Sequence, residues 1–194
     1  MKRSTKKPRQ KEVIIGFDFD KIFVDYPPLI PDSLINWLYK KPSKTLKYRY
    51  PGTLEQQLRI LSHLPLFRHP IWKNIGVLEK LSQNENIKMH VVSSRFKFLQ
   101  KRTEQWLQKF PISKHFVSLN FNYRNEQPHA FKNKMINQLN IQYFIDDDLD
   151  SLLYFAEKNP NKQFFWLNPS GTTKHYIPFR NITMIKNLTE LPTL

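Results

Sequence analysis

The apolar positions of this chain fall into short continuous runs separated by wider, helix-spaced stripes. Val13-Ile14-Ile15-Gly16-Phe17 is unbroken rather than alternating and rich in β-branched residues, which predicts a strand buried on both faces, as in a parallel sheet. Ile87-Lys88-Met89-His90-Val91-Val92, Gln142-Tyr143-Phe144-Ile145 and Gln163-Phe164-Phe165-Trp166-Leu167 are runs of similar character, with shorter candidates at His115 to Phe121 and Ile182 to Ile185. Between them lie predicted helices: His69 to about Ser82, with Ile75, Leu78 and Leu81 spaced for burial, then about Phe98 to Phe110, Ala130 to Leu139 and Leu152 to Lys158. Strands alternating with helices in this way predict an α/β fold around a central, mostly parallel sheet.

One region breaks the alternation. The prolines at 27, 28 and 31 stop both helix and central strand, so the chain leaves the sheet there. Asp32 or Ser33 can cap a short helix from Leu34 to Tyr39, and Thr53 opens another to about His63, with Leu54, Leu58 and Leu61 as its apolar stripe. Residues 26 to 66 thus read as a small helical insert over the mouth of the sheet, where a specificity cap would sit.

Composition narrows the class. A chain of 194 residues is expected to form one domain and buries a core without disulfides, and it has no cysteine with which to make them. That fits a reducing compartment, and we expect a soluble, cytoplasmic protein without membrane contact, since no apolar run approaches roughly 20 residues. The net charge is +15, from 31 basic and 16 acidic residues. Residues 1 to 11 hold six positive charges and read as a solvated basic tail, leaving +9 for the body at 12 to 194. A basic body attracts anionic partners, nucleotides and nucleic acids among them.

The candidate chemistry lies where the strands end. Asp18 and Asp20 follow the first strand, and carboxylates two apart share a side of an extended chain. Alone, the pair fits a polar strand end as well as a site; as a site, it shares a proton or binds a cation. Ser93-Ser94-Arg95 follows the second strand and opens a helix, which suits either an anion site or an ordinary N-cap. Lys132 and Lys134 sit near a helix start, where the macrodipole disfavours cations unless a bound phosphate or a carboxylate cluster compensates. Asp146, Asp147, Asp148 and Asp150 crowd the end of the next strand, at a repulsive cost that a cation would remove.

In this order, each at the end of its element, Asp18/Asp20, Ser93, Lys132 and Asp146/Asp147 resemble the haloacid dehalogenase (HAD) superfamily of phosphotransferases over roughly residues 12 to 168. Val91-Val92-Ser93-Ser94-Arg95, Thr103-Glu104-Gln105-Trp106-Leu107 and Phe131-Lys132 ahead of Phe144-Ile145-Asp146-Asp147 look most like its nucleotidase and nucleic-acid-repair branches. The resemblance implies a Rossmann-like three-layer sandwich, the HAD-like core, carrying the helical cap. It implies Asp18 as the nucleophile that forms an aspartyl-phosphate and Asp20 as general acid, then base. Ser93, Ser94, Arg95 and Lys132 would meet the substrate phosphate. Asp18, the backbone carbonyl of Asp20, Asp146 and Asp147 would hold Mg²⁺. Lys132 is preferred to Lys134 because it lies at the helix start, 14 residues before Asp146. After its second Asp the superfamily usually carries Gly and then Thr or Val, whereas this chain has Lys21 and Ile22. Lys21 would either lower the pKa of Asp20 or point away.

The activity so implied is Mg²⁺-dependent phosphomonoester hydrolysis. Lys44, Lys47, Tyr48, Arg49 and Tyr50 in the insert, with Arg95, favour a nucleotide or a nucleic-acid end as substrate; equally, the two tyrosines pack the cap and the charges are solvated. The alternative is a HAD-like nucleic-acid- or protein-binding module without turnover.

Overall fold

The computed structural model describes residues 12–26, 46, 48–172 and 176–192. The predicted tail at 1–11 and the helix predicted from Leu34 to Tyr39, with Lys44 and Lys47, lie outside the described residues.

Six strands form one sheet: β1 (Val13–Phe17), β2 (Ile87–Ser93), β3 (Ser118–Phe121), β4 (Tyr143–Asp146), β5 (Gln163–Leu167) and β6 (Ile182–Ile185). Their order is β3-β2-β1-β4-β5-β6, and every pairing is parallel. The helices are α1 (Thr53–Ser62), α2 (Trp72–Leu81), α3 (Gln100–Lys109), α4 (Pro128–Gln138) and α5 (Leu149–Lys158). The fold is α/β, with helices on both sides of the sheet.

Each continuous apolar run divides its side chains between the two faces. Ile15, Phe17, Met89, Val91, Ile145 and Phe165 pack with Ile75 and Leu78 of α2 and Trp106 of α3. Their sequence neighbours Val92, Phe144 and Phe164 pack on the opposite side with Phe131 and Ile136 of α4 and Leu152 and Phe155 of α5. Adjacent residues of a strand point to opposite faces, so a strand covered on both sides has no position for a polar residue until it ends. β1 and β4 therefore turn polar only at their carboxyl ends, where the aspartates cluster. At Gly16 a Cβ would lie 2.7 Å from side-chain atoms of Ile141 and Phe144. The missing side chain lets β1 settle against this second core.

Two expectations need correction. β3 begins at Ser118; residues Ile112–His115 instead form a 3₁₀ turn, with His115 bonded through Nδ1 to the Ser82 hydroxyl at 3.0 Å. The second concerns α1, which forms as predicted but faces the opposite way. Leu54, Leu58 and Leu61 are 72%, 61% and 56% exposed, whereas Arg59 and His63, just past the helix end, are buried. The periodicity shows correctly which residues share a face. It does not show what that face meets, and here the inner face meets charged groups, where an arginine finds partners and a leucine does not. Among the described residues no helix is long and apolar enough to cross a membrane.

Candidate active site

β1 delivers Asp18 to the centre of the sheet edge. The Asp18 amide donates to the Ile145 carbonyl at 2.9 Å, continuing the β1–β4 ladder by one residue, so Asp18 lands beside Asp146. One carboxylate oxygen from each of Asp18, Asp146 and Asp147 lies within 4.8 Å of the others. Asp18 and Asp146 are buried and Asp147 is half-buried.

Lys132 enters this group from the second turn of α4. Its ammonium donates to Asp146 Oδ2 at 2.7 Å and lies 3.2 Å from Asp18 Oδ2, with only 4% of the residue exposed. The carboxylate cluster is the compensation that a lysine near a helix start requires. Lys134 faces outward instead and bonds both oxygens of Glu126, at 2.5 and 2.7 Å.

One ammonium among three carboxylates leaves the group acidic. Burial, and then the neighbouring charges of Asp146 and Asp20, push Asp18 up to about 7 despite Lys132. Burial likewise raises Asp146, and burial with Asp146 and Asp18 raises Asp147 well above its ordinary value. Lys132 is disfavoured as a cation by burial, but Asp146 and Asp18 outweigh that and raise its pKa. Asp18 Oδ1 is buried with no hydrogen-bond partner among the described residues. Three clustered carboxylates, one of them with a buried oxygen left unsatisfied, are a donor set for a hard divalent cation, so these residues fit Mg²⁺.

Asp20 lines the same cavity but has different neighbours. Arg95 donates to it through Nε at 2.8 Å and Nη2 at 2.7 Å, and Arg68 donates to Oδ1 as well. Burial favours the neutral acid, yet Arg95 and Arg68 outweigh it and hold the carboxyl well below its usual range. Arg95 is itself fixed, by Thr103 Oγ1 at 3.0 Å and by the Phe19 ring, 4.6 Å from the guanidinium carbon. Asp18 and Asp20 thus face one space from opposite electrostatic settings.

The turn after Asp20 accounts for the Gly common in the superfamily at this point. Lys21 has φ of 61°, the left-handed region that glycine adopts without strain, and its amide donates to the Val24 carbonyl at 2.8 Å. The Lys21 ammonium lies 3.7 Å from Asp25 and 4.3 Å from the Tyr26 ring centre. Ser93 is buried at the end of β2, and its carbonyl accepts from Asn122. Ser94 and Arg95 line the cavity.

Tyr48 ties the insert to the rim. Its hydroxyl donates to Asp148, at the start of α5, and lies 3.0 Å from Ser151 Oγ, while its amide donates to Gln127 Oε1 at 3.1 Å. Tyr50 is 46% exposed, its ring 5.1 Å from that of Phe96. Sequence reasoning missed Arg59, His63 and Arg68. Arg68 lies between α1 and α2, 48 residues from the carboxylate it grips, and nothing in the local pattern marks it. The cavity enclosed by these groups has a volume of about 880 Å³.

No family model matches the sequence, and no curated protein does. Solved structures do match. One is the haloacid dehalogenase-like hydrolase of Xanthomonas campestris, at TM-score 0.57 and 7% identity over 94% of each chain. Another is CbbY from Rhodobacter sphaeroides in complex with phosphate, at TM-score 0.59 and 10% identity, over 92% of this chain and 96% of that one. A chain of the Pnkp1/Rnl/Hen1 RNA repair complex matches at TM-score 0.53 and 13% identity, over 84% of this chain but only 44% of its own length. At these identities the likeness establishes a shared fold, that of the haloacid dehalogenase-like hydrolases.

Proposed function

We propose that the protein is a Mg²⁺-dependent phosphomonoester hydrolase that works through an aspartyl-phosphate on Asp18, acting on a nucleotide or a nucleic-acid end. The observation that carries this reading is Asp18 itself, which lines the cavity with Lys132 at 3.2 Å from its Oδ2, its Oδ1 buried and unbonded, and one oxygen each of Asp146 and Asp147 within 4.8 Å. A carboxylate so placed can attack phosphorus: the new Asp18 O–P bond forms as the bond to the leaving oxygen breaks, and water later cleaves the acyl phosphate. Asp18, the Asp20 carbonyl, Asp146 and Asp147 would hold the metal, which supplies charge neutralisation of the phosphoryl oxygens. Lys132, locked between two carboxylates, would add to the same neutralisation. Asp20, kept ionised by its arginines, is set up to take a proton from the attacking water; Ser94 is placed to bond a phosphoryl oxygen.

The fold neighbours support the reading. One was solved with phosphate bound and another belongs to an RNA repair assembly. Arg49 in the cavity wall and the half-exposed Tyr50 beside it favour a nucleotide, since guanidiniums meet phosphates and rings stack on bases. One observation favours the alternative of a binding module without turnover: the arginine clamp weakens Asp20 as an acid toward the leaving group.

The test is phosphate release from nucleoside monophosphates, a phosphorylated oligonucleotide and an aryl phosphate, with and without Mg²⁺, for wild type and Asp18→Asn. Release that needs Mg²⁺ and vanishes in the variant is the expected result. No release from any substrate, together with tight, salt-sensitive nucleic-acid binding, would establish the binding module.

A further inference from the structure

We propose that the inward face of α1 and Arg95, one of the two arginines on Asp20, form a second anion subsite, so that the substrate carries another phosphate close to the one removed. This deepens the hydrolase reading above and rests on it.

The inverted helix is the first observation. α1 leaves three leucines in solvent while turning Arg59 inward, an arrangement opposite to what apolar burial favours. Exposing Leu54, Leu58 and Leu61 forgoes their burial, and a buried guanidinium is costly unless it has anionic company. Glu55, one turn earlier, pairs with Arg59 on that inward face. Such a departure from the expected pattern is characteristic of a functional surface rather than a structural one.

The second observation is where these groups point. Arg59, Arg95 and Arg49 line the same cavity as Asp18 and Asp146, and Arg68 reaches Asp20 on its wall. The cavity is therefore polarised. One side is carboxylate-rich around Asp18, the other guanidinium-rich around Asp20, and the two sides are joined by the two-residue step from Asp18 to Asp20. His63 adjoins the arginines, and burial with Arg68 and Arg95 holds its pKa well below the usual value, so it adds no competing charge.

Size supplies the third. A cavity of about 880 Å³ is several times larger than a lone phosphate needs and sits within the range of sites for nucleotide-sized ligands. A guanidinium has five donors in a planar fork, so an arginine paired with one carboxylate can still share itself with a phosphate. A substrate with its scissile phosphoryl group at Asp18 would then place a second phosphate between Arg59 and Arg95, with Arg68 holding Asp20 behind them. Two sources share this chemistry: a nucleoside bisphosphate, and the internucleotide phosphate next to a phosphorylated nucleic-acid end.

The test compares kcat/KM for a nucleoside 3′-monophosphate, the matching 3′,5′-bisphosphate and a 3′-phosphorylated trinucleotide, in wild type, Arg59→Gln and Arg59→Lys. We expect wild type to prefer a substrate with the second phosphate by about 30-fold or more, as a desolvated charge pair warrants, and Arg59→Gln to collapse that ratio. Arg59→Lys should retain part of it, and a melting curve for each variant confirms that it is folded. Preference for the trinucleotide over the bisphosphate identifies a nucleic-acid end; the reverse identifies the small molecule. Equal kcat/KM for all three in wild type, or a ratio unchanged in folded Arg59→Gln, overturns the subsite. Should no substrate release phosphate, the hydrolase reading fails separately, and calorimetric binding of the bisphosphate then decides. Affinity lowered at least about 30-fold in Arg59→Gln upholds the subsite, and unchanged affinity sinks it.

Discussion

At the scale of single residues, function and stability are coupled through Lys132. It is the counter-charge to Asp18 and Asp146, so Lys132→Met should cost about 3–5 kcal/mol in metal-free protein, because it strands buried carboxylates. It should also lower kcat by about 10²-fold or more, the usual scale for removing one preorganised charge. Lys134→Met should stay within about 0.5 kcal/mol of wild type, since its partner is a partly exposed glutamate. Urea melts and phosphate release on both variants check the contrast. The raised pKa of Asp18 gives a pH signature. Its folded value of about 7 exceeds the ordinary 3.8, so between these limits the folded chain holds a proton that the unfolded chain has lost. Metal-free stability therefore loses this contribution as pH rises through that window. Mg²⁺ needs the carboxylate, so the increase in Tm that it produces should grow from pH 5 to pH 8. Taking the difference between melts with and without Mg²⁺ cancels groups the metal does not touch, His63 among them. A Mg²⁺ effect that is flat or shrinking over that range would remove Asp18 from the metal site.

At the scale of elements, the outcome depended on whether each pattern reports its surroundings or only itself. β1, β2, β4 and β5 were legible because a strand covered on both faces must be apolar throughout, and the pattern is direct testimony to its environment. Gly16 sharpens the point. Gly16→Ala should destabilise by about 1–3 kcal/mol, since the new methyl meets Ile141 and Phe144 at 2.7 Å in a packed core; thermal melting measures it. α1 was legible as a helix but not in its orientation. Its leucine stripe is out and its arginine in, so Leu58→Gln should change stability by no more than about 0.5 kcal/mol. Arg68 was not legible at all, because its role depends on a carboxylate brought near only by folding. The carboxylates were readable because they end their strands, and Lys132 and Arg95 through the resemblance that the ordered set carries. Arg59 and Arg68 lie on a helix flank and in a loop, where the local pattern carries no such information.

For the whole molecule, the +15 charge bears on encounters with anionic partners rather than on how the chain folds. Raising salt from about 50 to about 200 mM should lower kcat/KM for a phosphorylated oligonucleotide far more than for an aryl phosphate, because several phosphates release counterions together. Equal salt dependence for the two would confine recognition to the single reacting phosphoryl group.

The position of β1 in the sheet has a consequence during synthesis. Ile15 pairs on one side with Met89 and on the other with Tyr143, so β1 cannot complete both of its ladders until β4, far along the chain, is in place. Until β4 emerges, one side of β1 is an open, apolar edge, able to recruit any passing strand. Asp18, Ser94 and Lys132 precede Asp146 and Asp147 along the chain, so the carboxylate cluster stays incomplete until that same strand is inserted. A chain divided in the turn at Asn140 would therefore complete the sheet, and with it the three-carboxylate cluster, only when its two pieces find each other.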